Sequence, residues 1–347
     1  MTMENSYMCR DVQWSITDMK LSPDSRHIAY SSWSGNVHLI PFQDTSGGTE
    51  LCLPLSDAMS SFYYALCAFS LSFSADGKEL IAGTNDGKVI IYDLQSDTKA
   101  VIVGHATDVN SISFSDQTNH VIYSAADDGI LKIWDRRILN ESNPEPVSVF
   151  VGHVHGITFH DSKGDFRYLL TNSKDQSIKL WDTRRPSQTS SVEDAQRVVR
   201  INSQMWDYRQ FSNVAPGYGT EKCHQYLMKK RETFERAEVD DSVQSYTGHS
   251  VSTTLLRARF SPAYSTLQKY IYTGSVTGKL YIYDVLSGDI VFQSKRGQCH
   301  SHIVRDVSWH PYEPMIFTSS LDQLLGCTMY NSHPFSYEPL DEESVLI

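Results

Sequence analysis

The sequence predicts an all-β fold built from one repeated element of about three or four short antiparallel strands. The first observation is an aromatic residue followed by aspartate at the end of an alternating run, which occurs four times in the 347 residues. The second is a Gly-His pair ahead of the later occurrences. We call each aromatic-Asp pair an anchor. The third observation is that short strands, with turns rich in Asp, Gly, Ser and Asn, lie between each Gly-His pair and the anchor that follows it, which is typical of β-hairpins. The anchors are Tyr92-Asp93, Trp134-Asp135, Trp181-Asp182 and Tyr283-Asp284.

The spacing of these anchors indicates six repeats. The first three anchors recur at about 40 to 50 residues, and the fourth follows after about one more period and a long insertion. Two further segments, 16–40 and 305–330, have the same strand-turn-strand rhythm without the full signature. The Gly-His pairs are Gly104-His105, Gly152-His153 and Gly248-His249.

This period and signature resemble those of WD repeats over nearly the whole chain. The resemblance implies a β-propeller with about four antiparallel strands per blade, an arrangement that leaves only short, protected strand edges. In two repeats the buried tetrad that fixes each blade matches the family pattern. We interpret its histidines as structural, because every polar group of such a network has a partner. The tetrads are His105, Ser124, Asp128 and Trp134 in the third repeat, and His153, Thr171, Asp175 and Trp181 in the fourth.

The other repeats depart from this pattern. Ala82 replaces the hydroxyl in the second repeat, Thr277 replaces the aspartate in the fifth, and Thr328 occupies the aromatic position in the sixth, which keeps Asp322. We therefore expect apolar packing, more than the tetrad, to hold these blades together.

The number of blades stays open from the sequence. Six blades are visible, and seven are possible, since seven is the commonest number in this fold. Either the propeller has six blades, or part of a seventh comes from 1–13, from 41–66 or from the insertion, or an upstream repeat is missing from this chain.

Three segments are predicted: an N-terminal segment at 1–13, a propeller at 14–334 with an insertion at 186–244, and an acidic C-terminal tail at 335–347. In the insertion, "PSQTSSVEDAQ" (186–196) is predicted to be a turn-rich linker, and "YLMKKRETFERAEVD" (226–240) a solvated segment or short helix. "MWDYR" (205–209) looks like another anchor, but no alternating strand leads into it, so we predict a loop.

Two consecutive anchors carry an arginine two residues after the aspartate, in "LKIWDRR" (131–137) and "IKLWDTR" (178–184). Residues i and i+2 of an extended chain point to the same face, about 6.6 Å apart. Asp135 and Asp182 can therefore hold Arg137 and Arg184 in place through charge-assisted hydrogen bonds.

Because these repeats are consecutive, we expect both arginines on neighbouring blades and on the same side of the disc. The adjacent Arg136 and Arg185 are expected to add to the positive charge. A WD repeat does not need arginine at this position, and rigid arginines are typical binding hot spots. The repetition therefore favours a binding surface over two solvated turns.

The composition restricts the class of partner and the compartment. A formal charge of −11 argues against generic nucleic-acid binding, since an acidic protein repels phosphate. No apolar run approaches the length of a membrane helix, and the opening residues resemble no secretory signal. The six cysteines have no metal-binding spacing, which suggests free thiols in a reducing compartment. We expect a protein of the cytoplasm and nucleus.

Tandem Trp-Asp-x-Arg repeats resemble those of the substrate receptors of cullin-four RING ubiquitin ligases, which dock on the damaged-DNA-binding adaptor. Several long phrases are similar to one receptor subfamily, that of WD repeat protein twenty-three and its plant embryogenesis-type homologues. They include "GITFHDSKGDFRYLLTNSKDQSIKLWD" (156–182), "MWDYR" (205–209), "LLRARFSPAYSTLQKYIYTGSVTGKLYIYDVLSG" (255–288) and "RDVSWHP" (305–311).

This resemblance implies that Asp135, Arg137, Asp182 and Arg184 contact the adaptor and that the chain presents a protein substrate for ubiquitination. Members of the subfamily carry a longer N-terminal region with a further repeat, which favours the missing-repeat explanation. The alternative function is a generic WD-repeat scaffold unrelated to ubiquitin.

Enzyme activity, metal binding and a cofactor are not expected. The sequence has no GxSxG, HExxH or phosphate-binding glycine motif. His153 and His155, like His300 and His302, could share a strand face, but His153 belongs to a tetrad and no third metal ligand is evident.

Overall fold

The computed structural model describes residues 9, 11–13, 15–42, 50–56, 66–115, 118–140, 143–204, 221–252, 254–295, 298–329 and 336–339. The described residues divide into two compact units: an N-terminal unit within 4–149 and a C-terminal unit within 150–339. The described strands form six four-stranded sheets, which we number 1 to 6 in chain order. In each sheet, strands that are consecutive in sequence pair side by side.

The N-terminal unit holds sheets 1 to 3, each a simple antiparallel meander. The last strand of sheet 3 ends one residue beyond the boundary between the units. Sheet 1 is β1 (Asp18–Leu21), β2 (His27–Ser31), β3 (Asn36–Pro41) and β4 (Leu51–Pro54); sheet 2 is β5 (Ala68–Phe73), β6 (Glu79–Thr84), β7 (Lys88–Asp93) and β8 (Thr98–Val103); sheet 3 is β9 (Val109–Ser115), β10 (Thr118–Ala126), β11 (Leu131–Asp135) and β12 (Ser148–Phe150).

The C-terminal unit holds sheets 4 to 6 and three helices. The insertion separates the third and fourth strands of sheet 4. Sheet 4 is β13 (Ile157–Ser162), β14 (Tyr168–Ser173), β15 (Ser177–Asp182) and β16 (Gln244–Thr247); sheet 5 is β17 (Ala258–Phe260), β18 (Tyr270–Thr273), β19 (Tyr281–Asp284) and β20 (Ile290–Gln293); sheet 6 is β21 (Val304–Trp309), β22 (Met315–Ser320), β23 (Leu325–Met329) and β24 (Ser336–Pro339); the helices are α1 (Ser190–Gln204), α2 (Glu221–Arg231) and α3 (Ala263–Thr266).

Alternating side chains of each central sheet pack in opposite directions. In β6, Leu80 and Ala82 join the apolar cluster shared with sheet 1, whereas Ile81 between them joins the cluster shared with sheet 3. In the C-terminal unit, Ile271 packs towards sheet 4 and Tyr272 towards sheet 6. The middle strands of sheets 2 and 5 are therefore buried on both faces, which explains why β6, β7, β18 and β19 are largely apolar.

Two of the segments that could supply part of a seventh blade, 41–66 and the insertion, are partly described. In the described part of 41–66, β4 completes sheet 1. In the described part of the insertion, the chain is mainly helical before β16.

The prediction of a linker at 186–196 is wrong, because α1 begins within it at Ser190. Serine and threonine at this start, followed by Glu193, are the residues that stabilise a helix N-terminus. Ala195, Val198 and Val199 are buried, at the spacing of one helical face.

The short helix predicted within 226–240 is present but begins earlier, as α2, which buries Cys223 and Leu227. The "MWDYR" segment lies outside the described residues.

The last strand of sheet 6, β24, lies in the segment that the sequence assigns to the tail, and it pairs with β23 from Gly326 to Met329. The three predicted segment boundaries stay predictions. No helix in the described residues is long and apolar enough to cross a membrane.

Candidate functional site

The tetrad residues of the third repeat lie together in sheet 3. His105 bonds through Nδ1 to Asp128 Oδ2 at 3.0 Å and through Nε2 to Ser124 Oγ at 2.7 Å. The indole of Trp134 donates to the same hydroxyl at 2.8 Å. Burial alone would raise the pKa of Asp128, but the adjacent His105 holds it below its ordinary value. All four side chains are buried and every polar group has a partner, so this network is structural.

The fourth repeat has the same geometry in the C-terminal unit. His153 bonds to Asp175 at 2.8 Å and to Thr171 at 2.6 Å, and Trp181 donates to Thr171 at 2.8 Å. His155, two residues on, accepts from the backbone of Gly156. Among the described residues, no group of three or more His, Cys, Asp or Glu side chains is arranged to hold a metal ion.

The sixth repeat holds a network that the sequence analysis missed. His300 bonds to Asp322 at 3.1 Å and to Thr318 at 2.8 Å. The separations of 22 and 18 residues equal those from His153 to Asp175 and Thr171. The spacing of the three residues is sufficient to predict this network. Of the repeat signature, only the glycine before the histidine and the aromatic residue are replaced, by Cys299 and Thr328.

The fifth repeat uses a different network. His249 bonds to the Tyr283 hydroxyl at 3.1 Å and to Asn172 of sheet 4 at 2.9 Å. Burial lowers the pKa of His249 to about 3, so its imidazole is neutral at physiological pH. Polar networks therefore contribute in the fifth and sixth repeats, where the sequence predicted mainly apolar packing.

Asp135 and Arg137 form a bidentate pair at the end of β11. Arg137 donates from Nε to Asp135 Oδ1 at 2.9 Å and from Nη2 to Oδ2 at 2.5 Å. The backbone N–H of Arg137 also donates to Oδ1, at 3.0 Å. The Arg137 side chain remains 63% exposed. The guanidinium is thus fixed in direction while one edge faces solvent.

Asp182 and Arg184 repeat this geometry at the end of β15. Arg184 donates from Nε at 3.0 Å and from Nη2 at 2.7 Å, and its backbone N–H donates at 3.1 Å. Its side chain is 61% exposed. Asp182 also contacts a second arginine, Arg167, at 3.6 Å, which the sequence analysis did not identify. We call Asp135–Arg137 and Asp182–Arg184 the two Asp-x-Arg pairs.

A turn, not an extended strand, brings each arginine back to its aspartate. The backbone N–H of Ile138 donates to Asp135 O at 3.2 Å, and that of Arg185 donates to Asp182 O at 2.9 Å. The carboxylate accepts the N–H two residues on, as in an Asx-turn. The predicted contact between aspartate and arginine is therefore present, but the predicted geometry is wrong. An extended strand was expected to place both side chains on one face, whereas a turn brings them together.

The flanking arginines do not behave alike. Arg136 donates from both Nη atoms to Glu79 at 2.7 Å and is only half-exposed. Its charge is neutralised within the N-terminal unit, so it does not add to a cationic surface as expected. Arg185 is exposed beside Arg184. Arg137 and Arg184 belong to different units, and their expected placement on the same side of the disc stays a prediction.

The carboxylates of the other two anchor aspartates also accept the backbone N–H two residues on, without an arginine there. Asp93 accepts from the backbone of Gln95 and Ser96, and Asp284 accepts from Leu286 and Ser287. The fold therefore uses the aspartate in all four repeats, whereas the arginine at the second position after it is confined to two of them.

The arginine controls the ionisation of its aspartate, which gives a test of the pair in solution. The side-chain hydrogen bonds from Arg137 lower the pKa of Asp135 to about 2, and those from Arg184 lower the pKa of Asp182 further. The pair is therefore intact at neutral pH and is lost as the pH falls through about 2. We expect Arg137→Ala to return the Asp135 pKa towards 3.8, as measured by carboxyl-carbon NMR titration.

A matched control for this titration is Arg26→Ala. The pKa of Asp24 is lowered chiefly by a hydrogen bond from Ser22 and next by the backbone N–H of Arg26, which alanine retains, whereas the charge of the Arg26 side chain has a smaller effect. The Asp24 titration should therefore hardly change in this variant. An Asp135 pKa that is equally insensitive to Arg137→Ala would contradict the bidentate pair.

Comparison with known protein families supports the repeat assignment. The family described as WD domain, G-beta repeat, matches residues 144–182 and 293–325. The family described as Nucleolar protein 10-like, N-terminal domain, matches residues 56–143. A chain in the crystal structure of the mitotic checkpoint complex aligns with a TM-score of 0.63 at 16% identity, covering 99% of this chain and 89% of that one. The solved structure of U3-55K aligns with a TM-score of 0.62 at 14% identity, covering 96% and 82%. With the antiparallel four-stranded sheets, these matches confirm the predicted all-β WD-repeat propeller.

Curated relatives match most of the chain. A LEC14B protein of Lithospermum erythrorhizon is 39% identical over 329 residues, covering 92% of this chain and 64% of the relative. A DDB1- and CUL4-associated factor 11 homolog of Caenorhabditis elegans is 37% identical over 313 residues, covering 89% and 51%. The chain thus spans between about half and two thirds of the length of these relatives. It belongs to the WD-repeat family of the LEC14B proteins and the DDB1- and CUL4-associated factor 11 homologues.

Proposed function

We propose that this chain is a substrate receptor of a cullin-four RING ubiquitin ligase, in the cytoplasm and nucleus, and that it docks on the adaptor DDB1 through the two Asp-x-Arg pairs. The observation that carries the proposal concerns the exposed guanidiniums of Arg137 and Arg184. Each is held by an aspartate in the same bidentate geometry, and each lies on a turn of the same kind after its strand. The names of relatives that span about nine-tenths of the chain support the choice of partner.

The geometry of each pair suits recognition of another protein. The aspartate holds Nε and Nη2, so the arginine loses little side-chain freedom when a partner binds. Within the described residues, Nη1 of Arg137 and of Arg184 has no hydrogen-bond partner, which leaves its N–H groups for an acceptor on the adaptor. The Asp135–Arg137 pair is neutral as a whole, so it offers a partner hydrogen-bond donors of fixed direction more than it offers net charge.

The proposed mechanism is proximity, without covalent chemistry by this chain. One surface is fastened to the ligase while another holds a protein substrate, whose lysines then lie near the charged conjugating enzyme. The gain is a high effective concentration of the substrate's lysines at the site of transfer. No nucleic acid, membrane or cofactor is required for this role.

Affinity capture from cells, followed by mass spectrometry, tests the proposal. We expect the wild-type chain to retain DDB1 and CUL4, and the double variant Arg137→Ala, Arg184→Ala to lose both. Truncating a hot-spot arginine costs about 2 kcal/mol or more, so two losses together are expected to remove detectable capture.

The matched control is the double variant Arg26→Ala, Arg200→Ala. It removes the same charge, with one exposed arginine from each unit. Arg26 also follows an aspartate by two residues and donates its backbone N–H to Asp24 at 3.1 Å, but its side chain approaches that carboxylate only to 3.9 Å. Capture of neither DDB1 nor CUL4 by the wild type, with other partners retained by both double variants, would instead favour a generic WD-repeat scaffold.

A further inference from the structure

A large apolar groove lies between sheets 5 and 6 of the C-terminal unit. It encloses a cavity of about 640 Å³, and its aromatic lining residues include Tyr270, Phe292, Trp309 and Tyr312. None of the described residues that line it is charged. A groove of this size and composition is typical of a site that takes an apolar segment of a partner.

The aromatic walls of the groove pack against one another and against neighbouring rings. Trp309 stacks on Tyr270 with ring centroids 6.4 Å apart and an interplanar angle of 6°. The edge of Trp309 also meets Tyr272 at 5.5 Å. At the rim, Tyr312 meets Tyr264 edge to face at 5.0 Å. Aromatic walls held in this way offer contact area at little cost in side-chain entropy.

The rim beside the groove exposes large apolar side chains. Leu267 is 86% exposed, Tyr264 is 77% exposed and Tyr312 is 66% exposed. Leu267 and Gln268 both have positive φ, of 54° and 52°. Glycine is the residue that this backbone conformation favours, and a leucine here is strained as well as exposed. Neither packing nor turn formation accounts for leucine at this position, which points to an intermolecular role.

The groove is connected to the Asp182–Arg184 pair by an unbroken series of contacts in the same unit. Arg167 contacts Asp182 at 3.6 Å and lies over the ring of Tyr168 at 4.7 Å. Lys163 lies over the same ring at 5.3 Å. Gln268, next to Leu267, donates to the carbonyl of Lys163 at 2.7 Å. These contacts therefore link the rim of the groove to the surface around Arg184 in the same unit.

The charges on this surface indicate what the partner offers. Arg184, Arg167 and Lys163 lie along this series of contacts, and Asp182 pairs with the first two of them. The groove itself is uncharged. The complementary segment is therefore apolar at its centre, with acidic side chains on the flank that meets the cations.

We propose that the groove between sheets 5 and 6 is a second contact with the adaptor, and that it takes an apolar adaptor segment flanked by acidic residues. This proposal rests on the proposed function, since it places the groove and Arg184 against the same partner. Leu267 and Tyr312 are its anchors, and Arg167 and Lys163 position the acidic flank.

The test measures the affinity of purified DDB1 for the full chain and its variants. Leu267→Gly removes the apolar anchor and relieves the strained backbone, so folding should be unchanged while affinity falls about tenfold or more. Tyr312→Ala, at an exposed position, should weaken binding to a similar degree. The matched control is Gln323→Gly, which makes the same change to glycine at a positive φ, of 67°. Gln323 lies in the turn between β22 and β23, at the opposite end of sheet 6 from Tyr312.

The outcomes separate this proposal from the previous one. Unchanged affinity in both groove variants overturns the groove contact, even if the arginine double variant loses binding. Lost affinity in the groove variants with normal binding by the arginine double variant supports the groove and overturns the arginine contacts. A fall in the unfolding temperature of Leu267→Gly that Gln323→Gly does not share would show a structural role for Leu267 and overturn its role as an anchor. A wild-type chain that does not bind DDB1 overturns both proposals.

Discussion

Replacing Arg137 and Arg184 together by lysine is expected to weaken adaptor binding almost as much as alanine does, by about 2 kcal/mol or more per site. Lysine keeps the positive charge, but its single ammonium group cannot span both carboxylate oxygens and still direct a donor outwards. The backbone N–H of residue 184 would continue to donate to Asp182, so the turn itself should survive. The expected loss therefore isolates the bidentate geometry from the charge.

The measurement is titration calorimetry of the purified chain with DDB1 at two salt concentrations. A loss caused by geometry should persist at high salt, whereas a simple charge effect is screened. The control exchanges Arg26 and Arg200 for lysine. Wild-type affinity in the Arg137→Lys, Arg184→Lys variant would mean that positive charge is sufficient, and that the bracing by aspartate has no part in recognition.

Replacing Gly278 by alanine is expected to destabilise the C-terminal unit by about 3 kcal/mol or more. Gly278 lies in the turn between β18 and β19 with φ +76°, and an added Cβ would lie 2.3 Å from the carbonyl oxygen of His300. His300 belongs to the polar network of sheet 6, so the neighbouring backbone could not move away without disturbing its bonds to Thr318 and Asp322. The readout is the midpoint of urea unfolding followed by tryptophan fluorescence.

The control for this variant is Gly77→Ala. Gly77 has a similar φ of +69°, but its added Cβ would meet only the side chain of Pro23, at 3.7 Å. The backbone strain alone costs about 1–2 kcal/mol. Equal losses in the two variants would show that the close approach of Gly278 to sheet 6 adds nothing beyond this strain.

The repeat pattern predicted the parts of the molecule that depend on local spacing. The Gly-His pair, the hydroxyl and the aspartate recur at fixed separations, so the tetrads built on His105 and His153 were assigned residue by residue. The His300 network has the same spacing as that of His153. The repeat signature does not indicate this network, because Cys299 replaces the glycine of the Gly-His pair and Thr328 replaces the aromatic residue, although His300, Thr318 and Asp322 make their bonds without either.

Features that depend on contacts between distant segments could not be predicted in this way. The pairing of Arg136 with Glu79 joins strands of two different sheets, and nothing in either local sequence indicates it. The groove combines residues of sheets 5 and 6 with Ser265 and Thr266 of α3. The helix α1 was mistaken for a linker, because its serine-rich start is equally typical of turns and of helix caps.

The turn that follows each anchor strand gives its aspartate a role that does not depend on an arginine. Asp93, Asp135, Asp182 and Asp284 all accept a backbone N–H from the residue two positions on. A carboxylate that can hold an arginine side chain is therefore already present at each such aspartate. One substitution two residues later would create or remove an exposed arginine that is held in this way. The number of such exposed arginines can in this way change without any rearrangement of the sheets.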